Sequence, residues 1–122
     1  MNGNKIFIDT NTCIHLLNGY LILSELLQEQ VDYTSIITEM GLYTHQSSPS
    51  ARQILDEFIA SVDVVGIDHK VTQQTICFRR GYKLKLPDSI AATSAHINSL
   101  PLLTADRSFQ RIDGLNIFLY KK

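Results

Sequence analysis

Ile6-Phe7-Ile8-Asp9-Thr10-Asn11 sets an apolar run hard against an acid. Three consecutive apolar residues without polar alternation read as a strand buried on both faces, as in parallel sheets covered by helices. Helical signals follow at once. Asn11 or Thr12 caps a helix through Leu17, Gly19 stops it, and Ile22, Leu23, Leu26 and Leu27 fall on one face of a second helix. Parallel strands need a long crossover between them, and this helix pair supplies one.

Outward from that unit the alternation repeats. Val31 to Ile37 reads as a strand running into a helix around Glu39 to Tyr43. His45 to Ser50 is a loop by composition, and Ser50 caps a helix with Ile54, Leu55, Phe58 and Ile59 on its inner face. Val62 to Ile67 gives a third strand, and Asp68 caps a helix that carries Val71, Ile76 and Phe78 and ends at Gly81. Pro87 opens a helix through about Asn98, whose Ala91, Ala92 and Ala95 permit close packing. Leu102-Leu103 is a strand ending at Thr104, Asp106 to Gln110 one helical turn, and Leu115 to Tyr120 a last strand. Strands alternating with helices predict an α/β fold with a mainly parallel sheet of about five strands, covered on both faces.

The chain of 122 residues has the length of one domain. With 44% hydrophobic and 19% charged residues it is too apolar for a disordered chain. Eleven basic against twelve acidic residues leave a charge of -1, so any nucleic-acid reading must rest on local features. Cys13 and Cys77 form no CxxC pair, which fits a reduced cytoplasm better than a disulfide-built secreted domain. Met1 to Lys5 is polar and no apolar run approaches the length of a membrane span, so neither a signal peptide nor a membrane segment is expected.

In open parallel sheets a ligand binds beyond the carboxyl ends of the strands. Asp9, Glu39, Asp68 and Asp106 follow the four first strands, and Asp88 opens the helix that leads to the fourth. Acids gathered without neutralising cations repel each other, and Mg²⁺ or Mn²⁺ is the usual reason to tolerate that. Asp68 is better explained as a cap, and Asp88 and Asp106 also have capping or dipole roles open to them. Asp9 is the hardest to explain structurally, since the cap is expected at Asn11 or Thr12. No HxH, HExxH, GxSxG, GxGxxG or GxxxxGK[ST] spacing occurs, which argues against zinc, a serine triad and a glycine-rich nucleotide loop. Cys13 reads as inert core. Arg79, Arg80, Lys83 and Lys85 run up to Asp88, and Arg107 adjoins Asp106, where they would hold phosphates beside a metal.

Four segments, taken together, resemble one family. Ile6 to Asn11, Ser35-Ile36-Ile37-Thr38-Glu39-Met40, the LPDSIAATSA stretch from Leu86 to Ala95 and the LPLLTADRSF stretch from Leu100 to Phe109 are similar to PIN domains, especially the VapC-type toxins of bacterial toxin–antitoxin pairs. The resemblance implies a three-layer α/β/α fold over residues 1–122 and a Mg²⁺- or Mn²⁺-dependent endoribonuclease of the cytoplasm. Asp9, Asp88 and Asp106 match the family's metal-site acids, while Asn11 and Thr104 match supporting polar positions. Such a metal would activate a water for in-line attack on the phosphodiester, leaving a 5′-phosphate. RNA, a cognate antitoxin and a second copy of the chain are the implied partners, the last through the leucine-rich segment from Tyr20 to Glu29.

The sequence departs from the family pattern twice. Toxins of this type carry a catalytic Glu in a T-x-x-E-L pattern, and here Gly41 stands in that place. Glu39 is two residues earlier, about 200° around a helix, and is a substitute catalytic acid only if the helix shifts. Ser108 stands where many members add another acid. Two rivals follow: a degenerate PIN domain that binds an antitoxin or RNA without cutting it, and, more remotely, a receiver-type signalling domain. The latter wants paired acids after the first strand, whereas Asp9 is alone.

Overall fold

The computed structural model describes residues 4–45 and 48–122, so Met1 to Gly3 and the Gln46-Ser47 part of the expected loop lie outside the described residues. The element order is β1 (Lys5–Ile8), α1 (Thr10–Leu17), α2 (Leu21–Leu26), β2 (Val31–Ser35), α3 (Ile36–Thr44), α4 (Pro49–Ser61), β3 (Asp63–Val65), α5 (His69–Gly81), α6 (Leu86–Ile97), β4 (Leu102–Thr104), a 3₁₀ turn (Arg107–Arg111) and β5 (Ile117–Leu119). All four strand pairings are parallel, in the order β3-β2-β1-β4-β5.

Alternation along the short strands divides the core in two. Phe7 and Leu102 face α5, α6 and the 3₁₀ turn, packing with Phe78, Ala91, Ala92, Ala95 and Phe109. Ile6, Ile8 and Leu103 face the other way, against Cys13, Leu23, Leu42 and Leu55 from α1 to α4. The result is a sheet between two helical layers. Ala91, Ala92 and Ala95 are almost fully buried, and α6 crosses the sheet where larger side chains would hold it off. Gly19 ends α1 at φ +83°, a conformation that residues with a Cβ rarely adopt.

Several local expectations are corrected. Asp9, not Asn11 or Thr12, caps α1: its carboxylate accepts from the Thr12 backbone N–H at 2.9 Å. β2 stops at Ser35, whose hydroxyl caps α3 through the Ile37 N–H, so Ile36 and Ile37 are helical despite their β-branching. Ser48 rather than Ser50 caps α4, with Pro49 opening it. β3 and β5 are shorter than expected, three residues each. Only Leu23 and Leu27 of the α2 set are buried, whereas Ile22 and Leu26 are about half exposed; Ile54 and Ile76 also face outward. Asp68 does cap α5, through Val71.

Candidate functional site

The strand order reverses between β1 and β4, since the chain moves from β1 through β2 to β3 and then returns to the other side of β1. A parallel sheet opens a crevice at such a switch point, beyond the carboxyl ends of its strands. Asp9 directly follows β1 and Asp106 lies two residues past β4. The register Phe7↔Leu102, Ile8↔Leu103 carries Asp9 alongside Thr104 one step further.

Both oxygens of Asp9 are held. Oδ1 accepts the Thr12 N–H at 2.9 Å and Oδ2 accepts the Thr104 hydroxyl at 2.6 Å. Asp9 is 4% exposed and Thr104 is completely buried, so these charge-assisted bonds work in a poorly solvated setting. The Thr104 oxygen in turn accepts the Asp106 N–H at 3.0 Å, and Asp106 Oδ1 accepts the Ser108 N–H at 2.9 Å. Ser108, which stands in place of an additional acid, thus serves Asp106 through its backbone.

Asp88 enters from the first turn of α6 and is half-buried. Burial, then the negative charges of Asp106 and Asp9, push its carboxyl above the usual carboxylate range, while Lys85 pulls it back. Each of the three acids therefore lies within electrostatic reach of a shared locus. Their all-oxygen donor set is the chemistry that Mg²⁺ and Mn²⁺ prefer, and mutual repulsion is what an ion would relieve. As the side chains stand, no three His, Cys, Asp or Glu residues among the described residues form a group that could hold a metal ion.

The other candidates divide. Asn11 is exposed in the first turn of α1. Lys85, at the N-cap of α6, is the member of the basic run whose charge reaches Asp88. Arg79 and Arg80 are exposed in the last turn of α5, Lys83 is exposed beyond it, and exposed Arg107 follows Asp106. Glu39, half-buried in the first turn of α3, lies one helical turn before Tyr43, which bonds to Asp56 of α4. Gly41 looks elsewhere, into a cavity of about 420 Å³ with Thr10, Ile14, Leu17, Asn18, Leu42 and His45. A Cβ at Gly41 would meet nothing within 4 Å. Glu39 and Gly41 thus serve different faces, as their spacing implies.

Sequence reasoning missed the roles of four residues. Thr12 holds Asp9 by its backbone, a capping relation legible in the D-x-x-T spacing once Asp9 is taken as the cap. Thr10 and Thr38 join α1 to α3 through a 2.7 Å hydroxyl contact. Asp32, in β2, has an Oδ1 without a hydrogen-bond partner among the described residues, and burial pushes its carboxyl up to about 6. No sequence motif marked it. Cys13, expected as inert core, is fully buried, and burial pushes its thiol up to about 12.

Comparison with known proteins agrees with this fold. Among solved structures the chain is similar to one from a toxin–antitoxin complex of Klebsiella pneumoniae, with a TM-score of 0.80, 24% identity, and 96% of this chain and 99% of that one covered. A chain of DNA-bound VapBC from Salmonella typhimurium gives 0.77 at 26% identity, covering 93% and 96%. One of VapBC2 from Rickettsia felis, bound to a promoter DNA fragment, gives 0.79 at 19%, covering 96% and 99%. No curated protein sequence matches significantly. The PIN domain family model matches residues 6–115, from β1 past the 3₁₀ turn and so across Asp9, Asp88 and Asp106, and the chain belongs to the PIN domain family.

Proposed function

We propose that this PIN domain is a divalent-metal-dependent endoribonuclease, the VapC-like toxin of a toxin–antitoxin pair. The observation that carries the reading is the arrangement at the switch point of the sheet, where the buried Thr104 hydroxyl joins Asp9 after β1 to Asp106 after β4, and Asp88 enters from α6 with its carboxyl raised by burial and then by those two acids. Asp9, Asp88 and Asp106 would hold Mg²⁺ or Mn²⁺. Such an ion, when bound, supplies Lewis-acid polarisation of the phosphodiester and a more acidic water. The chain's own residues do the rest. Thr12 and Thr104 fix the Asp9 carboxylate in one orientation, the Ser108 N–H fixes that of Asp106, and each carboxylate keeps lone pairs that these bonds leave free for an ion. Lys85 and Arg107 flank the acids and would hold backbone phosphates, with Arg79, Arg80 and Lys83 extending the track.

An antitoxin protein is the proposed partner in the cytoplasm, supported by the similarity to chains of VapBC complexes. Among the described residues no helix is long and apolar enough to cross a membrane. A homodimer through α2 is supported by Leu21, Ile22 and Leu26, which are 68%, 51% and 49% exposed. One observation favours a second reading, binding without cleavage: Gly41 leaves open space where the resemblance places a catalytic acid. Incubating RNA with the protein and Mn²⁺, beside an Asp9→Asn control, tests both. Cleavage by the wild type alone supports the nuclease; RNA or antitoxin binding without cleavage supports the alternative.

A further inference from the structure

The support of Asp9 continues beyond Thr12 to the end of the sheet's last strand. Thr12 is completely buried, and its hydroxyl contacts both the Leu103 carbonyl oxygen and the Tyr120 hydroxyl at 3.1 Å. A hydroxyl has one proton, and a carbonyl can only accept, so Thr12 donates to Leu103 and accepts from Tyr120. Tyr120, 8% exposed, has then used its own proton. Its 2.7 Å contact with His15 Nδ1 must therefore be one in which the imidazole donates. When all three bonds are made, the chain runs in one direction: His15 Nδ1–H to Tyr120, Tyr120 O–H to Thr12, Thr12 O–H to Leu103.

Its position gives the chain a consequence at the site. Leu103 precedes Thr104, the residue that holds Asp9 Oδ2, and the Thr12 backbone holds Asp9 Oδ1. The Thr12 hydroxyl thus ties together the two arms that orient Asp9, one from α1 and one from β4. Tyr120, just past β5, braces that tie from a third segment. Its ring stacks edge-on with His15 at 6.0 Å and lies 6.2 Å from Tyr20, whose hydroxyl donates to the Lys121 carbonyl at 2.6 Å. The segment after β5 is consequently pinned at two points, to α1 through Tyr120 and to the start of α2 through Lys121. A buried, β-branched threonine whose hydroxyl both donates to Leu103 and accepts from Tyr120 is held in one rotamer, so its backbone N–H is held on target.

We propose that Tyr120 is a positioning residue for Asp9, acting through Thr12, with His15 setting the direction of the hydrogen-bond chain. The inference rests on the nuclease reading for its catalytic consequence, but its structural half stands alone. Tyr120→Phe keeps the ring and removes one hydroxyl. It should lower kcat for Mn²⁺-dependent RNA cleavage about three- to tenfold, the worth of one hydrogen bond, with KM within about twofold. In the metal-free protein it should speed amide exchange at Thr12 by a similar factor. Thr12→Val should do the same, Thr12→Ser should retain more activity than Thr12→Val, and the double variant Tyr120→Phe/Thr12→Val should be no worse than Thr12→Val alone. Additive losses in the double variant, or unchanged Thr12 exchange in Tyr120→Phe, would overturn the proposal. Absence of cleavage in the wild type would sink the nuclease reading instead, and amide exchange would still decide whether Tyr120 braces Thr12.

Discussion

The Thr104 hydroxyl donates to the Asp9 carboxylate at 2.6 Å while accepting the Asp106 N–H at 3.0 Å, so one buried atom joins the acids that follow β1 and β4. Two neighbouring strands of a parallel sheet deliver their next residues to the same edge, and a short polar side chain between them sets the spacing of what each presents.

Removing that hydroxyl leaves a buried carboxylate oxygen short of a donor. Thr104→Val keeps the shape and should destabilise the protein by about 1.5 to 3 kcal/mol, the range for a hydrogen bond to a charged group. Urea unfolding of the metal-free protein measures it. Thr104→Ser, which retains the hydroxyl, should cost less, and equal losses for the two would assign the effect to packing.

Asp88 should trade stability for function. Its carboxyl is raised first by burial and then by Asp106 and Asp9, so the folded protein binds that proton more tightly than the unfolded chain does. Stability from this group is therefore greatest in acid and declines as pH rises through the folded-state value. At pH 7, Asp88→Asn should raise the melting temperature of the metal-free protein while weakening Mn²⁺ binding. Thermal melts paired with calorimetric Mn²⁺ titration would reveal both.

Asp32 makes the same argument without a functional gain. With its carboxyl pushed up to about 6 by burial, it destabilises the fold progressively as pH rises from about 4 to above 6. Asp32→Asn should stabilise at pH 7.5 by about 1 kcal/mol after allowance for its partial exposure, and the gain should shrink towards pH 4. Denaturation curves at the two pH values test this.

Much of the architecture was legible because buried parallel strands are written as unbroken apolar runs, as in Ile6 to Ile8 and Leu102-Leu103. What stayed illegible was the choice among adjacent capping residues. Asp9, Asn11 and Thr12 are all competent caps, as are Ser48 and Ser50, and composition alone does not rank them. Ile36 and Ile37 read as strand because β-branching favours it, yet the Ser35 cap and packing against the sheet made them helical. The acids could be named from motif resemblance. Thr104 could be named in the same way, but the bracing of Thr12 by Tyr120 and His15 could not, since these residues come together only when α1 and the end of β5 meet.

The two positions on α3 make opposite predictions. Gly41 faces the open cavity beside Thr10, next in sequence to Asp9, whereas Glu39 stands two residues earlier on α3, about 200° around the helix. Glycine inside a helix costs about 0.5 to 1 kcal/mol relative to alanine, so its presence is not explained by helix stability. Gly41→Glu should strengthen Mn²⁺ binding and raise RNA cleavage, and Glu39→Gln should change either little. A wild-type activity lost in Glu39→Gln would mean that Glu39 reaches the site in the working enzyme.

The most direct measurement is the location of Mn²⁺ by anomalous diffraction from crystals of the wild-type protein at saturating metal. The account predicts a peak at the carboxyl edge between β1 and β4, with oxygens of Asp9, Asp88 and Asp106 about 2 to 2.6 Å away or joined through one water. A peak elsewhere, with these three carboxylates unengaged, or no peak at all would contradict it.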